Sequence, residues 1–514
     1  MVGAETILRT LMNSGVDVCF ANPGTSEMQF VAAVDRVPGM RPVLGLFEGV
    51  VAGAADGYTR MADKPAATLF HLGPGLANGL ANLHNAMRAR SPIVNLVGDH
   101  ATYHRPYASP LASDVAAYAR PVSGWLRDNA EGRMLGADTR AAIAAAWEPP
   151  GQIATLLVPA DCSWNPGGEP GAAVRPPQPR AVASEALEQV IKAVRAGERC
   201  LFLINGRSLR EDGLHLASRL AEHTGIRVMA DTFTARMERG AGLPSLERFP
   251  RYPEQAVSLL QGFDHLFMIE TVPPVAFFAY PDQPSWLTPE HCALHTLAAP
   301  GEDAVGALQD LCEALDVPVD AGKPEALVVP EPGTGALTPD SIARTVAAVM
   351  PEGAIVAEEA ITSRGSLPAM TVGCPRHSWM SLTGGALGQS LSAGAGAAIA
   401  CPDRPVICLQ ADGAGMYSPQ ALWTMVREGL NVTVLIYANR SYKILHNEWS
   451  RLNLGEVGDS ARKLLDIGNP DLDWSHLARG MGMPASQVTD AESLHQELRR
   501  ALSEPGPHLI EAIM

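Results

Sequence analysis

The sequence predicts an α/β protein built from three tandem open parallel sheets, and three observations carry that prediction. The chain has 514 residues, more than one hydrophobic core supports, so several domains are expected. Short apolar runs alternate with helical patterns, the rhythm of buried parallel strands joined by helical crossovers. Two stretches of linker composition, Asn165 to Arg180 and Val317 to Thr338, interrupt that rhythm. The expected domains therefore cover residues 1–165, 181–316 and 338–514.

In the first block, strands are expected at Val16 to Ala21, Pro42 to Phe47, Ala66 to Phe70 and Pro92 to Val97. Helices are expected between them, at Ser26 to Val37, Gly49 to Met61 and Leu76 to Arg88. The middle block repeats the pattern at Cys200 to Ile204, Arg227 to Ala230, His265 to Ile269 and Cys292 to Leu297. The third does so at Ala354 to Ala357, Val406 to Gln410, Asn431 to Tyr437 and His508 to Ile513, with a helix at Tyr417 to Gly429.

Composition narrows the function classes. A formal charge of −16 argues against a nucleic-acid surface, which needs clustered Lys and Arg. The eight cysteines form no CxxC pair and read as small buried hydrophobes in a reducing compartment. The N-terminal segment has no secretory h-region, and no apolar run approaches the ~20 residues of a membrane span. A cytoplasmic protein without membrane or nucleic-acid partners is expected.

In open α/β sheets, ligands bind beyond the carboxyl ends of strands. Two such ends in the third block bear oxygen ligands. One strand runs into Ala411-Asp412-Gly413-Ala414-Gly415, the next into Ala438-Asn439-Arg440-Ser441, and Asp412 and Asn439 lie 439 − 412 = 27 residues apart. A carboxylate and an amide oxygen side by side suit Mg²⁺, which takes few protein oxygens and completes its shell with phosphate and water. Small residues at Gly413 and Ala414 let backbone N–H groups approach a diphosphate. A lone Asp-Gly is more often a turn, so the pair needs support from elsewhere.

That support comes from Phe47-Glu48-Gly49, at the end of an expected strand, followed by Val50-Val51-Ala52-Gly53-Ala54-Ala55-Asp56-Gly57-Tyr58. Together the two segments resemble the thiamine-diphosphate-dependent 2-oxo acid decarboxylases and carboligases, the family of acetolactate synthase and benzoylformate decarboxylase. The resemblance spans essentially the whole chain and is strongest in the first and third blocks. It implies thiamine diphosphate and Mg²⁺ as cofactors, with Asp412 and Asn439 as metal ligands and Ser441 supplying a backbone carbonyl. It implies that Glu48 activates the cofactor through its pyrimidine ring, displacing the plain reading of a first-turn helix acid. Leu387, within Thr383-Gly384-Gly385-Ala386-Leu387-Gly388, resembles the apolar wedge that bends the cofactor; its plain alternative is a core leucine. Thr25 and Ser26, in Asn22-Pro23-Gly24-Thr25-Ser26-Glu27, resemble the family's substrate loop, although Pro-Gly alone is a turn. His71 resembles the histidine of benzoylformate decarboxylase that moves protons at the substrate, a task suited to a side chain titrating near neutrality. Three positions depart from the pattern: Ala411, Ala438 and Arg440 replace a Gly, an Asn and a small residue.

The implied activity is decarboxylation of a small 2-oxo acid, with carboligation of the acyl unit in the acetolactate synthase manner. A simple decarboxylase of benzoylformate type is the alternative. The implied assembly is a homodimer with shared active sites, pairing into a homotetramer. Two other classes stay open: a flavin-dependent oxidase on the same scaffold, and a non-catalytic cofactor-binding paralogue in which the three departures mark decay. The middle block shows no flavin signature, so FAD is not expected. A nicotinamide dehydrogenase ranks last because no GxGxxG is complete.

Overall fold

Runs such as Ala66–Phe70 and Ile93–Asp99 are buried at every position, which a strand achieves when its sheet is covered on both faces. The computed structural model describes residues 1–514. Its first sheet has β1 (Val18–Asn22), β2 (Arg41–Leu44), β3 (Ala66–Phe70), β4 (Ile93–Asp99), β5 (Trp125–Asp128) and β6 (Ile153–Pro159). They run in the order β2-β1-β3-β4-β6-β5, every pair parallel. β5 and β6 extend the sheet beyond the four strands expected. The helices α1 (Gly3–Asn13), α2 (Met28–Arg36), α3 (Glu48–Ala62) and α4 (Leu72–Ala89) lie in this first block.

The central strands are β7 (Cys200–Ile204), β8 (Arg227–Ala230), β9 (Met237–Arg239), β10 (His265–Ile269) and β11 (Ala293–Ala298). Four of them make a parallel sheet in the order β11-β10-β7-β8. The C-terminal strands are β12 (Ala354–Glu359), β13 (His377–Ser381), β14 (Val406–Ala411), β15 (Val432–Ala438), β16 (Ala485–Val488) and β17 (His508–Ile513). Here β16-β17-β15-β14-β12 run side by side, all parallel, while β13 pairs antiparallel with β9.

The chain divides into two compact units. One comprises Met1–Pro176, Pro330–Met370 and Ser381–Met514; the other comprises Pro177–Val329 and Thr371–Met380. Within the first unit, α3 packs against the helix Gln389–Ala400, and both are buried along nearly their whole length. Their small residues are a requirement of that contact. A Cβ on Gly57 would stand 2.0 Å from the Ala393 carbonyl oxygen, and one on Gly396 1.8 Å from that of Ala54.

A buried ion pair pins the same seam. Asp56 accepts two hydrogen bonds from Arg60, at 2.8 and 2.7 Å, and one from Gln389 Nε2 at 2.6 Å. Arg60 in turn donates to the Ser381 carbonyl and to Thr383 Oγ1, both at 2.9 Å. The acid and base of an i,i+4 pair thus bind one layer to the other, and every charge has partners, as burial demands.

Three expected boundaries shift. β2 stops at Leu44, so Glu48 opens α3 instead of ending a strand. Gly73-Pro74-Gly75 forms the first turn of α4 instead of a loop, where proline's missing N–H has no partner to lose. The helix expected from Tyr417 is Ala421–Arg427, because Pro419 biases Ser418 away from helical dihedrals. No helix is long and apolar enough to cross a membrane.

Candidate active site

In the first sheet β2 and β3 flank β1, so the strand order reverses between β1 and β3. Loops leaving a reversal point open a crevice beyond the strand ends. From β1 comes the loop that carries Gly24 and the 3₁₀ turn Thr25–Glu27; from β3 comes His71, the N-cap of α4. The two meet. Glu27 Oε2 lies 2.7 Å from His71 Nδ1 and accepts the Gly24 amide N–H at 2.9 Å. Gly24 lies so close to the His71 ring that a Cβ there would stand 2.3 Å from Nδ1. Thr25 is exposed and Ser26 half-buried on the same turn.

Glu48, 8% exposed at the start of α3, approaches the first turns of α4. Asn78 Nδ2 donates to its Oε2 at 3.0 Å, and a Cβ on Gly75 would stand 3.0 Å from its Oε1. The two catalytic candidates of this block, Glu48 and His71, thus gather at the N-terminal end of α4. Sequence reasoning overlooked Glu27 and Asn78, their partners. The Glu27 signal was present, three residues beyond Gly24 in the loop already marked.

The second cluster stands on the C-terminal sheet. β14 and β15 are neighbours with Ala411 opposite Tyr437, so Asp412 and Asn439 leave adjacent strand ends. Asp412 accepts the Gly413 amide N–H on Oδ1 at 2.8 Å and the Arg440 amide N–H on Oδ2 at 2.7 Å. Burial raises its pKa above the ordinary carboxylate value, and those N–H groups pull the other way. Asn439 Oδ1 accepts the Ser441 amide N–H at 3.0 Å, and its Nδ2 donates to Ser363 Oγ at 3.3 Å. Arg440 adopts φ 56, and its guanidinium pairs with Asp471 at 3.0 Å.

The glycines here answer first to protein neighbours. A Cβ on Gly413 would meet the Tyr442 ring at 2.6 Å, and one on Gly415 the Trp474 ring at 2.7 Å. Ala414 is buried between them. Leu387 is half-buried in the loop before the helix Gln389–Ala400. Asn85 holds that loop by bonding both the N–H and the carbonyl of Ala386, at 3.1 and 2.8 Å. Glu359, another residue overlooked, accepts the N–H groups of Gly388 and Ser390 at 2.7 and 2.9 Å, and burial pushes its pKa up to about 7.

This donor set fits a divalent hard cation bound with a phosphate ligand. Two oxygen side chains stand on adjacent strand ends, each oriented by a backbone N–H that leaves other lone pairs for metal. No group of three or more His, Cys, Asp or Glu side chains forms a metal cage.

Residues 1–118 match the family "thiamine pyrophosphate enzyme, N-terminal TPP binding domain", and residues 365–512 match its C-terminal TPP binding domain. A Mycobacterium tuberculosis protein provisionally named an acetolactate synthase large subunit is 49% identical over 100% of this chain and 99% of its own. The benzoylformate decarboxylase of Pseudomonas aeruginosa is 27% identical over 98% of this chain and 96% of its own. Among solved structures, a thiamine diphosphate-dependent 4-hydroxybenzoylformate decarboxylase from Rhodococcus jostii superposes with TM-score 0.86 at 22% identity, covering 100% of this chain and 99% of its own. Benzoylformate decarboxylase from Polynucleobacter necessarius does so with TM-score 0.80 at 20% identity, covering 100% and 98%. The two structures share the three-sheet fold.

Proposed function

Because the chain belongs to the thiamine pyrophosphate enzyme family, we propose that it decarboxylates a small 2-oxo acid using thiamine diphosphate and Mg²⁺. The observation that carries this reading is the juxtaposition of Asp412 and Asn439 at adjacent strand ends, each oxygen aimed by a backbone amide. When bound, thiamine diphosphate supplies the electron sink for the carbon that loses CO₂. The chain's own groups do the rest. Asp412 and Asn439, with the carbonyl of Ser441, would hold the metal beside the diphosphate. Glu48, its carboxylate oriented by Asn78 and shielded from water by burial, would share a proton with the pyrimidine ring of the bound cofactor. Leu387 would pack against the bound cofactor. Thr25 and Ser26 line the crevice where the 2-oxo acid lies, and His71 moves protons there.

The Glu48 and Asp412 clusters share no residue, and large apolar side chains are exposed close to each in sequence: Leu46 by the first, Met416 and Tyr417 by the second. Such surface is what a second copy buries. We read the working form as a homodimer in which one chain's Glu48 cluster faces the other's Asp412 cluster, with dimers pairing into tetramers.

The fate of the acyl unit divides two readings. Release as an aldehyde is supported by His71, a proton carrier at the β1/β3 crevice. Carboligation to a second 2-oxo acid is supported by the 49% identical relative. Incubation with thiamine diphosphate, Mg²⁺ and a panel of 2-oxo acids, followed by NMR, decides between them. We expect CO₂ with an aldehyde, and its loss on chelation with recovery on adding Mg²⁺. Acetolactate from pyruvate would establish the carboligase, and no CO₂ from any acid would overturn both.

A further inference from the structure

Glu27 has a feature that packing alone does not call for. It is 3% exposed, its Oε1 is buried with no hydrogen-bond partner, and Gly98 of β4 lies so close that a Cβ there would stand 1.7 Å from that oxygen. An unsatisfied buried carboxylate oxygen is unfavourable, so the side chain is retained for its other oxygen. That oxygen faces His71 Nδ1 at 2.7 Å while accepting the Gly24 amide. The histidine is fixed from three sides. Gly24 lies against its ring, Glu27 takes Nδ1, and the next residue, buried Leu72, turns the chain through φ 52, a conformation unfavourable for a leucine.

We propose that Glu27 is a positioning residue that keeps the proton of neutral His71 on Nδ1, so that Nε2 is the atom that exchanges a proton with bound substrate. An ionised carboxylate can only accept, so the hydrogen in the 2.7 Å contact belongs to the imidazole. The neutral ring then carries its lone pair on Nε2, which has no protein partner. Going from 2-oxo carboxylate to aldehyde the substrate gains one hydrogen, so the protonated ring gives a proton from Nε2 and is recharged from solvent, while Glu27 holds the Nδ1 hydrogen throughout. The Asn22–Glu27 loop therefore serves the histidine as well as the substrate. The pairing stands on geometry alone; its use in catalysis rests on the proposed decarboxylation.

Two variants and two readouts test this. The ¹⁵N spectrum of histidine-labelled protein reports which ring nitrogen carries hydrogen, with the His71 signals assigned by their loss in H71N. In wild type and in E27Q, whose amide oxygen still accepts, His71 is expected with hydrogen on Nδ1. In E27L it should lose that preference. Hydrogen on Nε2 in wild type, or an unchanged tautomer in E27L, would overturn the pairing whether or not any 2-oxo acid is turned over. In the decarboxylase assay, E27L should lower kcat on the order of 10²-fold, the low end of a general acid–base contribution. KM and thiamine diphosphate affinity should stay near wild type. E27Q should lose less, with a pH–rate profile that differs from wild type because the carboxylate beside the ring is gone. Wild-type kcat and profile in both variants would show that the pair orients the ring without serving the reaction.

Discussion

The two clusters hold their functional groups by different means. On the C-terminal sheet, Asp412, Asn439 and Glu359 are each held by backbone N–H groups at strand and helix ends. On the N-terminal sheet, Glu48 and His71 are held by side chains, Asn78 and Glu27, reaching from α4 and from the β1 loop. Backbone donors fixed by secondary structure suit groups that must stay put, such as ligands of a metal and a diphosphate. Side-chain partners are not fixed by secondary structure, which suits groups whose hydrogen bonds must adjust to a ligand. The division of labour follows from which part of the chain supplies the hydrogen.

The largest effect that separates the halves is expected for E48Q. It removes a proton-exchanging carboxylate and should lower turnover by roughly 10²–10⁴-fold. Calorimetry should still show thiamine diphosphate and Mg²⁺ binding near wild type; loss of binding would make Glu48 a structural anchor and erase the distinction. The second effect concerns stability. A carboxyl raised from its ordinary 4.5 to about 7 keeps its proton in the folded chain after the unfolded chain has released it. The unfolded state binds fewer protons across that window, so stability falls as pH climbs from 4.5 to 7, by about 3 kcal/mol in all. Denaturant melts of E359Q should lack this slope, and an identical slope in the variant would place its origin elsewhere. The smallest is expected for N439A. The concentration of Mg²⁺ giving half-maximal activity should rise roughly 10–100-fold, the scale on which metal sites respond to lost supporting groups. Turnover at saturating Mg²⁺ should stay close to wild type, in contrast to E48Q.

The same contrast governs what could be read in advance. The third block was legible because its site is local: Asp412 and Asn439 each follow an apolar run, and β14 and β15 pair as neighbours. β3, β7, β10 and β17 lie where their apolar runs placed them, being buried over most of their length. β5 was missed because Trp125–Asp128 is a half-exposed edge segment with neither alternation nor an unbroken apolar run. β6 is an apolar run interrupted only by Thr155, a pattern that periodicity alone does not distinguish from a buried helix. The support of His71 was illegible for a different reason. Glu27 lies 44 residues away, and only the pairing of β1 with β3 brings them together. Arg440 stood out only as a departure where the resembled pattern has a small residue, and the fold shows its guanidinium paired with Asp471.

The contact between α3 and the helix Gln389–Ala400 has a mechanical consequence. Backbones in near contact at Gly57 and Gly396, cross-tied by Asp56 and Arg60, leave no sliding plane between the first and third sheets of a chain. Sliding one layer over the other would have to break the hydrogen bonds from Gln389 to Asp56 and from Arg60 to the Ser381 carbonyl. The small residues of both helices are likewise barred from drifting to larger ones singly, so this seam should vary more slowly among relatives than the surfaces around it.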